Sequence, residues 1–346
     1  MKASIGFGAP YEGRAAWLET VDFVVEAERL GVDSAWSAEA WGSDAVSPLA
    51  YLAARTERIK LGTGIIQTGT RTPALVGMTA ATLQHLTGGR FLLGLGTSGP
   101  QVIEGWHGVP FEKPLARLKE IVDVVRLVLS GEKVIYDGEF YQLPRPGGEG
   151  KALRLGMAPV PLVPIYLATL GPRSLEYTGE AADGWLGTSF LPEQAETFLS
   201  HIRKGTDNAG RALGDLDLQA GGVVEFGDDL DSLLPPRRPG VAFTLGAMGS
   251  KNNNFYNDAI TRAGYAEVAA RVQELWIEGK RDEAVALVPD DLILHSNLLG
   301  TEAMVRERIR AYHACGITTI RVAPVGETLG DRLSTLGRFM DLVAED

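Results

Sequence analysis

The sequence predicts an α/β fold, a (β/α)8 TIM barrel carrying insertions. Three observations point there. Eight short apolar runs of strand character alternate with segments of helical periodicity; the 42 glycines punctuate those runs and form no low-complexity tract; and 346 residues with 45% apolar content suffice for a large core. Parallel strands joined by helices need right-handed crossovers, which permits a doubly wound sheet or a closed barrel, and a count of eight favours the barrel.

The first unit joins strand 2–8 (KASIGFG) to helix 15–31, whose apolar positions recur at helical spacing and which closes on Gly31. Strand 34–39 and helix 47–57 follow, then strand 59–66 (IKLGTGII) with helix 72–87 opening near Pro73, then strand 90–96 with helix 114–130. The Gly/Pro-rich stretch 136–164 includes YDGEFYQL, which has the pattern of a hairpin arm. Beyond it come strand 165–170, helix 172–182, strand 184–189, helix 192–209 and strand 218–226. The long segment 230–300 holds PPRRPG, the polar run GSKNNNFYN and a helical stretch 264–287; helix 301–315, strand 318–323 and helix 327–344 complete the count. A single barrel domain over 1–346 is therefore expected, with insertions at about 97–113, 132–164 and 230–300.

Composition removes several function classes. With 33 basic against 44 acidic side chains the net charge is −11, the wrong sign for a surface that displaces counterions from a nucleic acid. The N-terminus lacks an apolar signal core and no run of 18 apolar residues occurs, so a cytoplasmic protein with no membrane partner is expected. Cys315 stands alone, which excludes an internal disulfide and a thiolate cluster. His85, His201, His295 and His313 show neither HxH nor HExxH spacing, so no metal site is expected, and no GxSxG elbow supports a covalent hydrolase.

In a barrel of this kind the loops after the C-terminal strand ends build the site, which directs attention to 8–14, 39–46, 65–72, 97–113, 170–174 and 188–192. Gly94-Leu95-Gly96-Thr97-Ser98-Gly99 spells GxGxxG, but a loop with Pro100 and Pro110 follows where a Rossmann unit needs an immediate helix; small residues there leave room for a flat ring or a phosphate. Leu170-Gly171-Pro172-Arg173-Ser174 joins a strand to a helix start, whose exposed N–H groups and dipole suit an anion, or form an ordinary Gly-Pro helix start. Glu39 ends the second strand as an acid, a base, a ring contact or a solvated loop charge, and Asp44 is a candidate cap for helix 47–57. Trp41, Trp106 and Phe111 suggest aromatic walls, and His107 a titratable group, on mouth loops. Gly64, inside an apolar strand, marks a bulge, a close approach or an unusual peptide geometry.

Taken together, ERLGVDSAWSAEAWGSDA, ERIKLGTGIIQTGTRTPA, LTGGRFLLGLGTSGPQVIEGWHG, FEKPLARLKEIVDVVR and GPRSLEYTGEAADGW resemble the luciferase-like oxidoreductases, specifically their branch dependent on the deazaflavin coenzyme F420, over nearly the whole chain. The resemblance implies a (β/α)8 barrel, commonly dimeric, with the flat coenzyme at the C-terminal mouth. It implies a non-prolyl cis peptide at Gly64-Ile65 backing the ring, further coenzyme contacts from Thr97, Ser98, Gly99, Thr169 and Leu170, and the coenzyme phosphate at Gly171, Arg173 and Ser174. The segments Met248–Asn252 and Asn253–Tyr256 resemble a cover over coenzyme and substrate. Sugar-phosphate dehydrogenases of this family place an acid–histidine pair after the second strand, where this chain has Glu39-Ala40, and a glutamate after the fourth, where it has Gly99 or a neighbour.

The activity so implied is an oxidoreductase moving a hydride between F420 and a small organic substrate, with Glu39 and His107 as candidate catalytic residues, Glu104 as a further proton carrier, and Trp41 and Trp106 as substrate walls. Rival expectations are an FMN-dependent luciferase-like monooxygenase on the same barrel and a non-catalytic coenzyme-binding barrel.

Overall fold

Alternation along each strand decides which side chains fill the barrel and which lie under the helices. The computed structural model describes residues 1–8, 12–250 and 253–345. Its units are β1 (Lys2–Phe7) and α1 (Arg14–Arg29), β2 (Ser34–Ser37) and α2 (Val46–Ala53), β3 (Lys60–Thr63) and α3 (Pro73–Leu86), and β4 (Phe91–Gly96) and α4 (Pro114–Leu129). After these come β5 (Ile165–Ala168) and α5 (Pro172–Ala181), β6 (Gly184–Leu186) and α6 (Glu196–Asn208), β7 (Asp217–Ala220) and α7 (Glu302–Ala314), and β8 (Thr319–Pro324) and α8 (Leu329–Glu345). All eight strands pair in parallel in sequence order, and β1 pairs β8 through Ala3↔Ile320 and Ser4↔Arg321, which closes the barrel. Among the described residues no helix is long and apolar enough to cross a membrane.

Ala35, Leu61, Leu93, Leu167, Leu218 and Ile320 face outward into the main core beneath the helices. Their strand neighbours Trp36, Leu92, Tyr166 and Leu186 turn inward and form a separate cluster inside the barrel. The indole of Trp36 meets the Tyr166 ring edge-on at 5.0 Å between centroids. Glycines make this possible: a Cβ at Gly62 would lie 2.4 Å from the Trp36 ring, and one at Gly94 only 1.8 Å from the Thr63 carbonyl oxygen. Beneath the aromatic layer, Asp217 accepts hydrogen bonds from the hydroxyls of Thr318, Thr319 and Tyr166 and from the Gln219 amide at 2.6–2.9 Å. Burial pushes its pKa up, but these donors outweigh burial and hold the carboxyl below its usual range.

Several expected elements are divided. The strand expected at 59–66 stops at Thr63 and resumes at Ile66–Gln67, because the Gly64–Ile65 peptide is cis, as the resemblance implied. The strand expected at 218–226 breaks at Gly221-Gly222, where any Cβ would strike the carbonyl oxygens of Arg321 and Ser296 at 2.1 Å; Val223–Phe226 then pairs both β8 and Leu298–Gly300. Tyr136–Asp137 and Gln142–Leu143 form the expected hairpin. The helix expected at 264–287 is two, Ala266–Ile277 and Arg281–Ala286, separated at Gly279 with φ +79°; Arg238–Ala247 and Phe255–Ile260 precede them. Leu245, Ile260, Val272, Leu275 and Ile293 of this insertion close a second apolar cluster.

Two stability changes follow. Gly94→Ala lowers stability by about 3 kcal/mol or more, through the backbone contact its Cβ would make, whereas Gly6→Ala, with open space around it, stays within about 0.5 kcal/mol; urea midpoints compare the two. The depressed pKa of Asp217 contributes stability above the unfolded value, near 3.9, that disappears as pH falls through the lower folded value. The stability deficit of Asp217→Asn at pH 7, about 2 kcal/mol, therefore narrows in urea titrations below about pH 4.

Candidate functional site

The C-terminal ends of β2 to β5, together with the insertion around Ala247–Tyr256, line a cavity of about 680 Å³. Ile65 and Ala168 of its lining pack against the barrel's inner aromatic cluster. The cis peptide brings Gly64 and Ile65 to one wall; a Cβ at Gly64 would stand 3.1 Å from Trp36 Cβ, so the backbone there lies directly on the indole. A Cβ at Gly96 would come within 2.8 Å of Ile65 Cδ1, so this wall is a shallow apolar face built from backbone and one aliphatic side chain. Thr97, Ser98 and Gly99 continue it after β4, with Ser98 in the left-handed region at φ +57°.

The opposite corner is polar. Thr169 and Leu170 lead from β5 to α5, whose N-cap Gly171 has no capping side chain, so the first-turn N–H groups of Arg173 and Ser174 have no intrahelical acceptor. Arg173 is exposed and lines the same cavity, which joins its charge to the positive end of the helix. The loop is held from above: Arg262, in the insertion, donates from Nη2 to the Leu170 carbonyl at 2.7 Å.

Glu39 is in the cavity wall, but its oxygens are occupied. Arg71 binds both, at 2.5 and 3.0 Å, and the backbone N–H groups of Ala45 and Gln67 donate to them at 3.0 and 3.2 Å. Only 9% of the Glu39 side chain and 20% of Arg71 are exposed, so this is a largely buried ion pair that pins the loops after β2 and β3 to each other. Asp44 caps α2, accepting from the N–H groups of Val46 and Ser47 at 2.8 Å.

Trp41 lines the cavity with much of its ring exposed. Trp106, His107 and Phe111 do not line it. Val102 and Ile103 are the buried residues of the short helix Pro100–Ile103, which turns residues 104–108 to solvent and presents Gln101 and Val102 to the cavity instead. Glu104, the further proton carrier considered, accepts from the Phe111 N–H outside the cavity. Met248, Asn253, Phe255 and Tyr256, from the segments likened to a cover, line the cavity; Lys251 and Asn252 of that segment, and 9–11 of the first mouth loop, lie outside the described residues. Arg71 was missed although GTRTPA contains it, because its partner lies 32 residues away.

Residues 3–319 match the profile of the luciferase-like monooxygenases. The chain belongs to this family. A Mycobacterium tuberculosis relative, provisionally named a coenzyme F420-dependent oxidoreductase, is 37% identical over 326 residues, covering 92% of this chain and 94% of its own. An F420-dependent glucose-6-phosphate dehydrogenase of Kineococcus radiotolerans is 31% identical, over 77% of this chain and 80% of its own. The solved coenzyme F420 dependent tetrahydromethanopterin reductase from Methanopyrus kandleri superposes with a TM-score of 0.78 over 97% of both chains at 24% identity, a likeness of fold.

Within this family member, removing one partner of the Glu39–Arg71 pair strands a buried charge. Arg71→Met costs about 3 kcal/mol in urea denaturation, and adding Glu39→Gln recovers part of that loss.

Proposed function

We propose that this family member is an F420-dependent oxidoreductase that exchanges a hydride with a carbon of a small organic substrate. The reading is carried by one observation: a shallow apolar face at Gly64–Ile65 and an uncapped helix N-terminus bearing Arg173 open onto the same cavity. A molecule with a flat ring at one end and a phosphate farther along has that sequence of requirements, and the M. tuberculosis and K. radiotolerans relatives carry names that specify coenzyme F420. When bound, the deazaflavin supplies the hydride donor or acceptor.

The chain's residues orient and enclose. Gly64, Ile65 and the wall of Thr97, Ser98 and Gly99 would hold the ring, while the N–H groups of Arg173 and Ser174 and the Arg173 guanidinium would hold the phosphate. Glu39 acts as a positioning residue: with Arg71 it fixes the backbone beside the cis peptide. Met248, Phe255 and Tyr256 cover the cavity and exclude water from the transfer.

A fluorescence titration with F420, run beside FMN, tests the proposal. Tighter binding of F420 is expected, and Arg173→Ala weakens it by about 10- to 100-fold, the loss of a charge-assisted contact. Preferential binding of FMN overturns the reading in favour of a flavin monooxygenase. His107→Asn should leave turnover with F420 unchanged, since the imidazole lies outside the cavity; a loss of turnover, measured at saturating substrate, would restore it to the site.

A further inference from the structure

A corner that receives an anion needs donors open to the mouth and its own acceptors spent elsewhere, and each carbonyl of the loop 169–171 is spent. The Thr169 carbonyl accepts from Trp185 Nε1 at 3.0 Å. The Gly171 carbonyl accepts from the Leu175 N–H at 2.9 Å and from the Ser174 hydroxyl at 2.8 Å. The Leu170 carbonyl, between them, accepts from Arg262 Nη2 at 2.7 Å. The Thr169 side chain is engaged as well, its hydroxyl lying 2.7 Å from that of Thr178. With these oxygens occupied, the loop leaves open the first-turn N–H groups of Arg173 and Ser174. Trp185, Ser174 and Leu175 belong to β6 and α5; of these donors only Arg262 comes from the insertion, 92 residues beyond Leu170.

The place of Arg262 follows from its neighbours. Ile260 and Ala263, on either side of it, are buried in the insertion's own apolar cluster, and Arg262 is left half-buried with its guanidinium on the barrel loop. Leu170 lines the cavity and Arg262 does not, so the guanidinium reaches the mouth through a carbonyl and not by touching what binds there. A bond that only fastened insertion to barrel would serve at any surface carbonyl. This one falls on the residue that precedes the N-cap of α5, where an unpaired carbonyl oxygen would repel an anion. We infer that Arg262 is a positioning residue for the coenzyme phosphate: by holding the Leu170 carbonyl it keeps the loop 169–171 in a form that offers the mouth donors and no acceptor. The insertion thereby completes the phosphate corner from outside the cavity lining. The inference rests on the F420 reading for the identity of the ligand, and not for the role of the arginine.

Fluorescence titrations of the full chain compare two pairs of molecules that differ by a phosphate: the deazariboflavin chromophore of F420 with its phosphate monoester, and riboflavin with FMN. The wild type is expected to bind the deazariboflavin monoester about tenfold or more tighter than the chromophore. Arg262→Gln and Arg262→Met, the second keeping the bulk of the stem if the first fails to fold, should each remove most of that ratio while affinity for the chromophore itself stays unchanged. Arg262→Lys, which keeps the charge and a donor, should retain part of it. A purely structural fastening would lower the melting temperature and weaken both members of a pair alike. A wild-type ratio in the glutamine or methionine variant, an equal loss for both members, or no preference for phosphate by the wild type in either pair overturns the proposal. A wild type that prefers FMN, and whose FMN-to-riboflavin ratio falls in Arg262→Gln, would keep Arg262 in this role and remove the F420 reading.

Discussion

The constraint on which the site depends is the fit of the Trp36 indole into space vacated by side chains on β3. Gly62 admits the ring and Gly64 lets the backbone rest on it, so the floor of the cavity is set by a large side chain on one strand and missing ones on the next. The same exchange recurs on the other side of the barrel, where the Tyr166 ring comes within 2.2 Å of where a Gly184 Cβ would stand. Close packing of this sort has little freedom to collapse or expand, which is why a loop-built mouth can sit on a base of fixed height.

Above that base the charges are divided by function. Asp217, below, and Glu39, at the rim, are carboxylates saturated with donors, so both hold neighbouring strands and loops in place. Arg173 is the opposite case: an exposed cation at an uncapped helix start that lines the mouth. The chain is acidic overall, yet this corner of its mouth carries positive charge.

Most of the architecture was legible in sequence because eight strand–helix alternations are a periodic signal. The cis peptide and the α5 corner were legible because glycine and proline at strand ends have few other uses in such positions. What was not legible has a common cause. The ion pair of Glu39 with Arg71 joins loops 32 residues apart, and the need for glycine at Gly221-Gly222 comes from the Arg321 and Ser296 carbonyl oxygens lying against them, both distant in sequence. Trp106 and His107 were misplaced for the converse reason: in an irregular loop nothing periodic reports which way a side chain turns, and burial of Val102 and Ile103 decides it.

The bond from Arg262 to the Leu170 carbonyl joins two parts of the molecule with different cores, the barrel and the 230–300 insertion. Because Leu170 belongs to the loop that precedes α5, the bond ties the position of that loop to the insertion. A single guanidinium thus ties the start of α5 to the insertion.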